Sequence, residues 1–179
     1  MSEQVRQMAR RHASHTQDRI SEEARGYDGD QEVNLPGYAA SMVAFALATA
    51  GLSLAARSRN QGLPERYELS DIAIGGLATH KFTRLLSKAS VTSPIRAPFT
   101  EFEGPAGSAE LNESARGGHI RHTIGELLTC PFCLGQWVGT GYVAGLALAP
   151  RQARTWAAVF AVTAVSDGLQ QVYARLREN

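Results

Sequence analysis

Two stretches of this chain run for 24 residues without a charged side chain, residues 33–56 and 127–150. A third, residues 155–174, is interrupted only by Asp167. A helix needs about 20 mostly apolar residues to cross the hydrocarbon of a bilayer. Helices of that length in water-soluble domains carry a polar face. The pattern therefore predicts an all-α integral membrane bundle of about four helices, spanning residues 36–56, 70–88, 124–149 and 154–175. A long cytosolic loop would join the second to the third.

The overall mean hydropathy of −0.20 points the other way, toward a bundle with wholly apolar helices buried in a water-soluble core. That average conceals a division. Residues 1–32 and 87–123 are polar and charged, and the charge-free runs lie outside them. Arg6, Arg10, Arg11, Arg19 and Arg25 punctuate the first segment, which lacks the apolar core of a cleavable signal. It reads as a polar N-terminal tail, with the helical membrane domain at 33–179. A net charge of +1 implies no polyanionic partner, so nucleic acid is not expected.

Small residues mark the helix faces. Ala40, Ala44, Ala48, Gly51 and Ala55 fall on one stripe of the first helix, and Ala157, Ala161, Ala164 and Gly168 on one stripe of the last. Gly135-x-x-x-Gly139 and Gly141-x-x-x-Gly145 give the third helix two small faces, suited to a central position. Ser70 or Asp71 is a good N-cap for the second helix. Trp156 is placed as an interfacial anchor, after a tight link over residues 150–154. With four spans and both termini cytosolic, only Arg57, Arg59, Arg66, Arg151 and Arg154 lie outside, which agrees with the positive-inside bias.

Chemistry concentrates at Cys130-Pro131-Phe132-Cys133. At a helix N-terminus such a pair supports thiol–disulfide exchange, although no strand precedes it as in thioredoxin-like proteins. His119-x-x-His122 lies just upstream, and the four side chains together would satisfy tetrahedral zinc. The plainer reading makes both thiols packing groups, with no cofactor bound. Asp167 needs a partner inside an apolar helix, and His80, Lys81 and Arg84 are the available cations. A structural tether accounts for it more simply than an ion path. Glu126 caps the third helix or pairs with Arg121. Glu101, Glu103, Glu110 and Glu113 read as a solvated acidic loop. No phosphate-cradling glycine loop, nucleophile elbow or HExxH motif is present.

Three segments carry a resemblance: Lys81-x-x-Arg84-Leu85-Leu86; Val91-Thr92-x-Pro94-x-Arg96-Ala97-Pro98-Phe99; and Gly125-Glu126-Leu127-Leu128-Thr129-Cys130-Pro131-Phe132-Cys133-Leu134-Gly135-x-Trp137. Together, over about residues 70–170, they resemble a family of small bacterial membrane proteins catalogued as domain of unknown function 1360. Some of its members are described as sporulation proteins. The family pattern carries an acidic residue ahead of the Val-Thr pair, where this chain has Ala89. The resemblance implies a bacterial inner-membrane location but no activity. It points to Lys81, Arg84, Thr92, Pro94, Arg96, Glu126, Cys130, Cys133 and Trp137 as a candidate cluster at the cytosolic interface.

The expectation is a non-enzymatic scaffold or partner-binding component. Its partners would be the bilayer, a second copy of itself or another membrane protein. A thiol-redox or zinc-dependent membrane protein centred on Cys130 and Cys133 is the alternative.

Overall fold

A computed structural model describes residues 33–58, 64 and 66–178, together with Glu22 and Tyr27. The expected N-terminal tail otherwise lies outside the described residues. The chain divides into two compact units, Met1–Ala39 and Ala40–Asn179.

The described elements are mostly helical, with one two-stranded hairpin. They run α1 (Leu35–Ser58), α2 (Leu69–Lys88), a 3-10 turn (Ser90–Thr92), α3 (Ser93–Arg96), β1 (Thr100–Gly107), β2 (Glu110–Ala115), α4 (His119–Thr129), α5 (Pro131–Leu148) and α6 (Pro150–Glu178). This corrects the four-span all-α bundle. Among the described residues only α1 is long and apolar enough to cross a membrane, and it lies near the N-terminus. A signal sequence passes the same test, and so does a buried core helix, but α1 is no core helix because Ala56 is its only buried residue.

The expected third span fails for a local reason. Pro131 has no amide hydrogen to donate and crowds the residue before it out of helical geometry. Cys130 is accordingly extended (φ −100°, ψ 102°), and residues 124–149 divide between α4 and α5. Neither piece by itself is long and apolar enough to span. Pro150 acts on Ala149 in the same way, so one residue replaces the expected link over 150–154. The second and fourth expected spans are real helices, α2 and α6, but polar side chains recur along them. Glu68 stands at the N-cap of α2 in place of Ser70 or Asp71; its carboxylate takes no helix amide and accepts the Ser70 hydroxyl at 3.3 Å.

α2, α5 and α6 pack together around Ala78, Tyr142, Leu146 and Ala157. The small stripe of α6 serves this core, with Ala157 and Ala161 both buried. Gly75 of α2 lets the Tyr142 ring lie against its backbone; a Cβ there would stand 2.1 Å from Cε1. Tyr142 then donates to the Asp71 carbonyl at 3.1 Å. Trp156, expected at an interface, packs edge-on to Phe82 (5.4 Å) and beside Phe160 (5.2 Å). Of the glycine faces of α5, only Gly145 touches a neighbour, Ala153 at 3.2 Å; Gly135, Gly139 and Gly141 face open space.

The polar region expected as a loop folds into the hairpin. β1 and β2 are antiparallel, pairing Thr100 with Ala115 and Gly107 with Glu110, with irregularities around Glu103 and Ala106. Ala109 takes φ +61° in the turn, and its carbonyl accepts the Ser90 amide at 2.9 Å. Gly125 of α4 seats the hairpin closely. A Cβ there would lie 2.5 Å from the Phe99 carbonyl oxygen and 2.9 Å from the Ala115 Cβ.

Candidate functional site

The C-terminal end of α2 leaves carbonyls that no further turn can satisfy. The sequence that follows supplies their donors. Thr92 Oγ1 donates into the Leu85 carbonyl at 2.6 Å, and Arg96 Nη1 donates to Leu86 O at 2.8 Å and Ala89 O at 3.1 Å. Pro94 opens the short α3 that carries Arg96 back beneath this end. The remaining face of the guanidinium meets Glu113 of β2, with Nε to Oε2 at 2.6 Å and Nη2 to Oε1 at 3.1 Å. Thr100 Oγ1 closes the network, 3.2 Å from Glu113 Oε2 and 3.0 Å from the Arg96 carbonyl.

Arg96 is wholly buried and the Glu113 side chain nearly so (5% exposed). Such a pair persists only when its donors and lone pairs are satisfied, and each guanidinium nitrogen of Arg96 has a partner. Thr92 and Arg96 are thus brought together as expected, and they act as a lock between α2 and the hairpin. Glu113 was read as solvated. The signal that could have found it was Arg96 held between two prolines, a cation in a stiff turn with no nearby acid before it.

Three further pairs use up charges on the helices. Arg84 makes a two-pronged bond to Glu110 (2.8 and 2.7 Å), so a second supposedly solvated acid is a partner. Lys81 pairs with Asp167, which selects one of the three cations offered to that acid. Arg154 grips Asp71 through Nε and Nη2 at 2.9 and 2.8 Å. The bond from Arg154 holds the Asp71 carboxyl below its ordinary range, against the opposing effect of burial. Arg154 is raised in return, chiefly by its bond to Asp71. Burial, followed by the Asp71 charge, pushes the Tyr142 hydroxyl up.

The remaining expected site residues lie in α4 and α5. His122 Nε2 approaches Glu126 Oε1 at 3.7 Å, one turn along α4. Trp137 meets Phe45 edge to face at 5.2 Å. Cys130 and Cys133 form a disulfide, with Cα atoms 5.3 Å apart. Cys130 is the N-cap of α5, and its sulfur accepts the Cys133 amide at 3.1 Å. Cys130 is half-buried and Cys133 exposed. Both thiols are committed to each other, and His119 and His122 do not join them. Among the described residues no group of three or more His, Cys, Asp or Glu side chains converges to hold a metal ion.

The family model described as "Protein of unknown function (DUF1360)" matches residues 74–173. The chain belongs to this family. The DUF1360 region takes in most of α2, the hairpin, α4, α5 and nearly all of α6, and hence the Arg96–Glu113 lock and the disulfide. It begins beyond α1. No curated protein and no solved structure matches the chain.

Proposed function

We propose that this DUF1360 protein is a membrane-attached binding component, held to lipid by α1 and presenting its folded helices to a partner. The observation that carries the reading is the state of α1. It offers 22 residues without a charge before Arg57, yet buries only Ala56. Met42, Val43, Leu47 and Leu54 are each more than half exposed. Exposed apolar area on this scale marks an interaction surface, and a bilayer suits a helix of this length.

The partner-binding half of the reading draws support from how the charges are used. Arg84, Arg96, Lys81 and Arg154 each engage an acid of the same chain, which leaves uncharged surface for recognition. One such surface is a shallow groove of about 330 Å³ along α5, lined by Gly135, Gln136, Gly139, Thr140 and Val143. Small residues of this kind leave room for a partner's helix to approach closely.

The test is fractionation of cells expressing the full chain. The protein should sediment with membranes, resist alkaline carbonate and be released by detergent. Val43→Glu with Leu47→Glu should shift it to the carbonate supernatant. A wild-type chain that stays monodisperse in buffer without detergent overturns the reading. For the groove, Gly139→Leu should lower the mass of the detergent-solubilised assembly measured by light scattering. An unchanged mass removes the groove from the proposal.

A further inference from the structure

We infer that Cys130 and Cys133 form a reversible thiol–disulfide exchange site, with Cys133 as the sulfur that an incoming thiolate attacks and Cys130 as the leaving thiolate. This goes beyond lipid attachment and partner binding, and neither depends on it.

The bond is poorly placed to be a staple. It joins residues separated by only two others, and cross-links stabilise less as the closed loop shortens. Its immediate neighbours are also already set by α5, whose first residue is Pro131. The two sulfurs differ in ways that matter for exchange. Cys133 is exposed and stands beside Phe132, 90% exposed, so the approach to it is open and apolar. Cys130 is half-buried, caps an 18-residue helix and accepts the Cys133 amide. That amide and the positive end of α5 both favour a negative sulfur at Cys130. Exchange is faster when the departing sulfur is the better-stabilised thiolate.

The substrate class is a dithiol: a protein with two neighbouring thiols beside an apolar residue, or glutathione acting twice. Its first thiolate attacks Cys133 Sγ, the Cys130–Cys133 bond breaks, and a mixed disulfide to Cys133 forms while Cys130 leaves as thiolate. The second substrate thiolate then attacks the substrate sulfur of that mixed disulfide, which releases Cys133 as thiolate. Two electrons and two protons pass from the dithiol to the cysteine pair, and the substrate ends as a disulfide. Run backward, a substrate disulfide reoxidises the pair.

The test uses the full-length protein in detergent micelles, equilibrated with glutathione of varied reduced-to-oxidised ratio, acid-quenched and read by intact mass. Wild type should move between disulfide and dithiol with little adduct, because Cys130 expels glutathione from Cys133. Cys130→Ser should hold a glutathione adduct on Cys133. Cys133→Ser should hold about fivefold less on the shielded sulfur. Cys130→Ala should trap as Cys130→Ser does, and matching far-UV circular dichroism verifies that each variant is folded. Equal adducts on both single-cysteine variants, or a wild-type bond that excess glutathione cannot open while the protein stays folded, overturn the inference.

Discussion

Helix α1 and the segment from Ala89 to Arg116 invert what their compositions suggest. The first is apolar and free of charge up to Arg57, yet most of it is exposed and Ala56 alone is buried. The second is rich in Pro, Gly and Glu, yet it holds the largest wholly buried side chain described, Arg96. Hydropathy measures what a residue would gain by leaving water, and burial records whether the fold supplies somewhere to go. In α1 the described elements supply little of it: Phe45 meets Trp137, and Ala56 alone is buried. Between α2 and the hairpin, the open carbonyls at a helix end and one carboxylate make a polar interior that only an arginine fills.

The contrast can be broken most forcefully at the lock. Arg96→Met or Glu113→Leu alone should cost about 3–5 kcal/mol, because each strands a buried charge. Joining the two substitutions should recover much of that loss. Denaturant unfolding in micelles, followed by circular dichroism, measures both. If each single substitution costs no more than an exposed ion pair does, the polar interior is not what holds the hairpin.

A somewhat smaller effect should follow from Gly125→Ala, about 1–3 kcal/mol, since the added methyl meets the Phe99 carbonyl and Ala115. Gly139→Ala, with open space at its Cβ position, should be neutral or stabilising by the same assay.

The Asp71–Arg154 pair lies between the extremes, with Arg154 half-exposed. The folded carboxyl of Asp71 titrates below its unfolded value. Its contribution to stability is therefore complete above the unfolded value and is lost as pH falls through the folded one. The melting temperature of wild type should drop on acidification below about pH 4, and Asp71→Asn should remove part of that slope. Parallel slopes for the two proteins would mean that the pair does not contribute.

The smallest effect should come from the most apolar helix. Leu47→Ala in α1 should leave folding stability within about 0.5 kcal/mol of wild type, because that side chain is 68% exposed. A large loss there would show that Leu47 packs against protein and would erase the contrast.

Much of the helical outline was legible. The runs that became α1, α2 and α6 were read as helices, and the family resemblance over about 70–170 matches the 74–173 region found. The division of the third run is legible too, since Pro131 breaks the helix as well as belonging to the cysteine motif. The hairpin was harder to see. Gly104, Pro105 and Gly107 interrupt the alternation of β1, and its acids look like a solvated face. Thr92 and Arg96 belong to the candidate cluster read from the sequence; in the structure both donate to the open carbonyls at the end of α2. Asp167 was expected to tether to one of three cations, and the choice of Lys81 came only with the packing of α2 against α6.

The chain by itself determined that the runs of α1, α2 and α6 are helical, that prolines interrupt the backbone between α4, α5 and α6, and that two thiols lie within one helical turn of each other. Those are consequences of neighbouring residues, since prolines, charges and apolar runs act on the backbone within a few positions. Tertiary structure alone decided which acid meets which base. Arg96 and Glu113 lie on opposite sides of a turn and a strand, and Asp71 and Arg154 on helices far apart in the chain. An ion pair needs its two partners within a few ångströms, and residue order sets no such distance until the helices have packed.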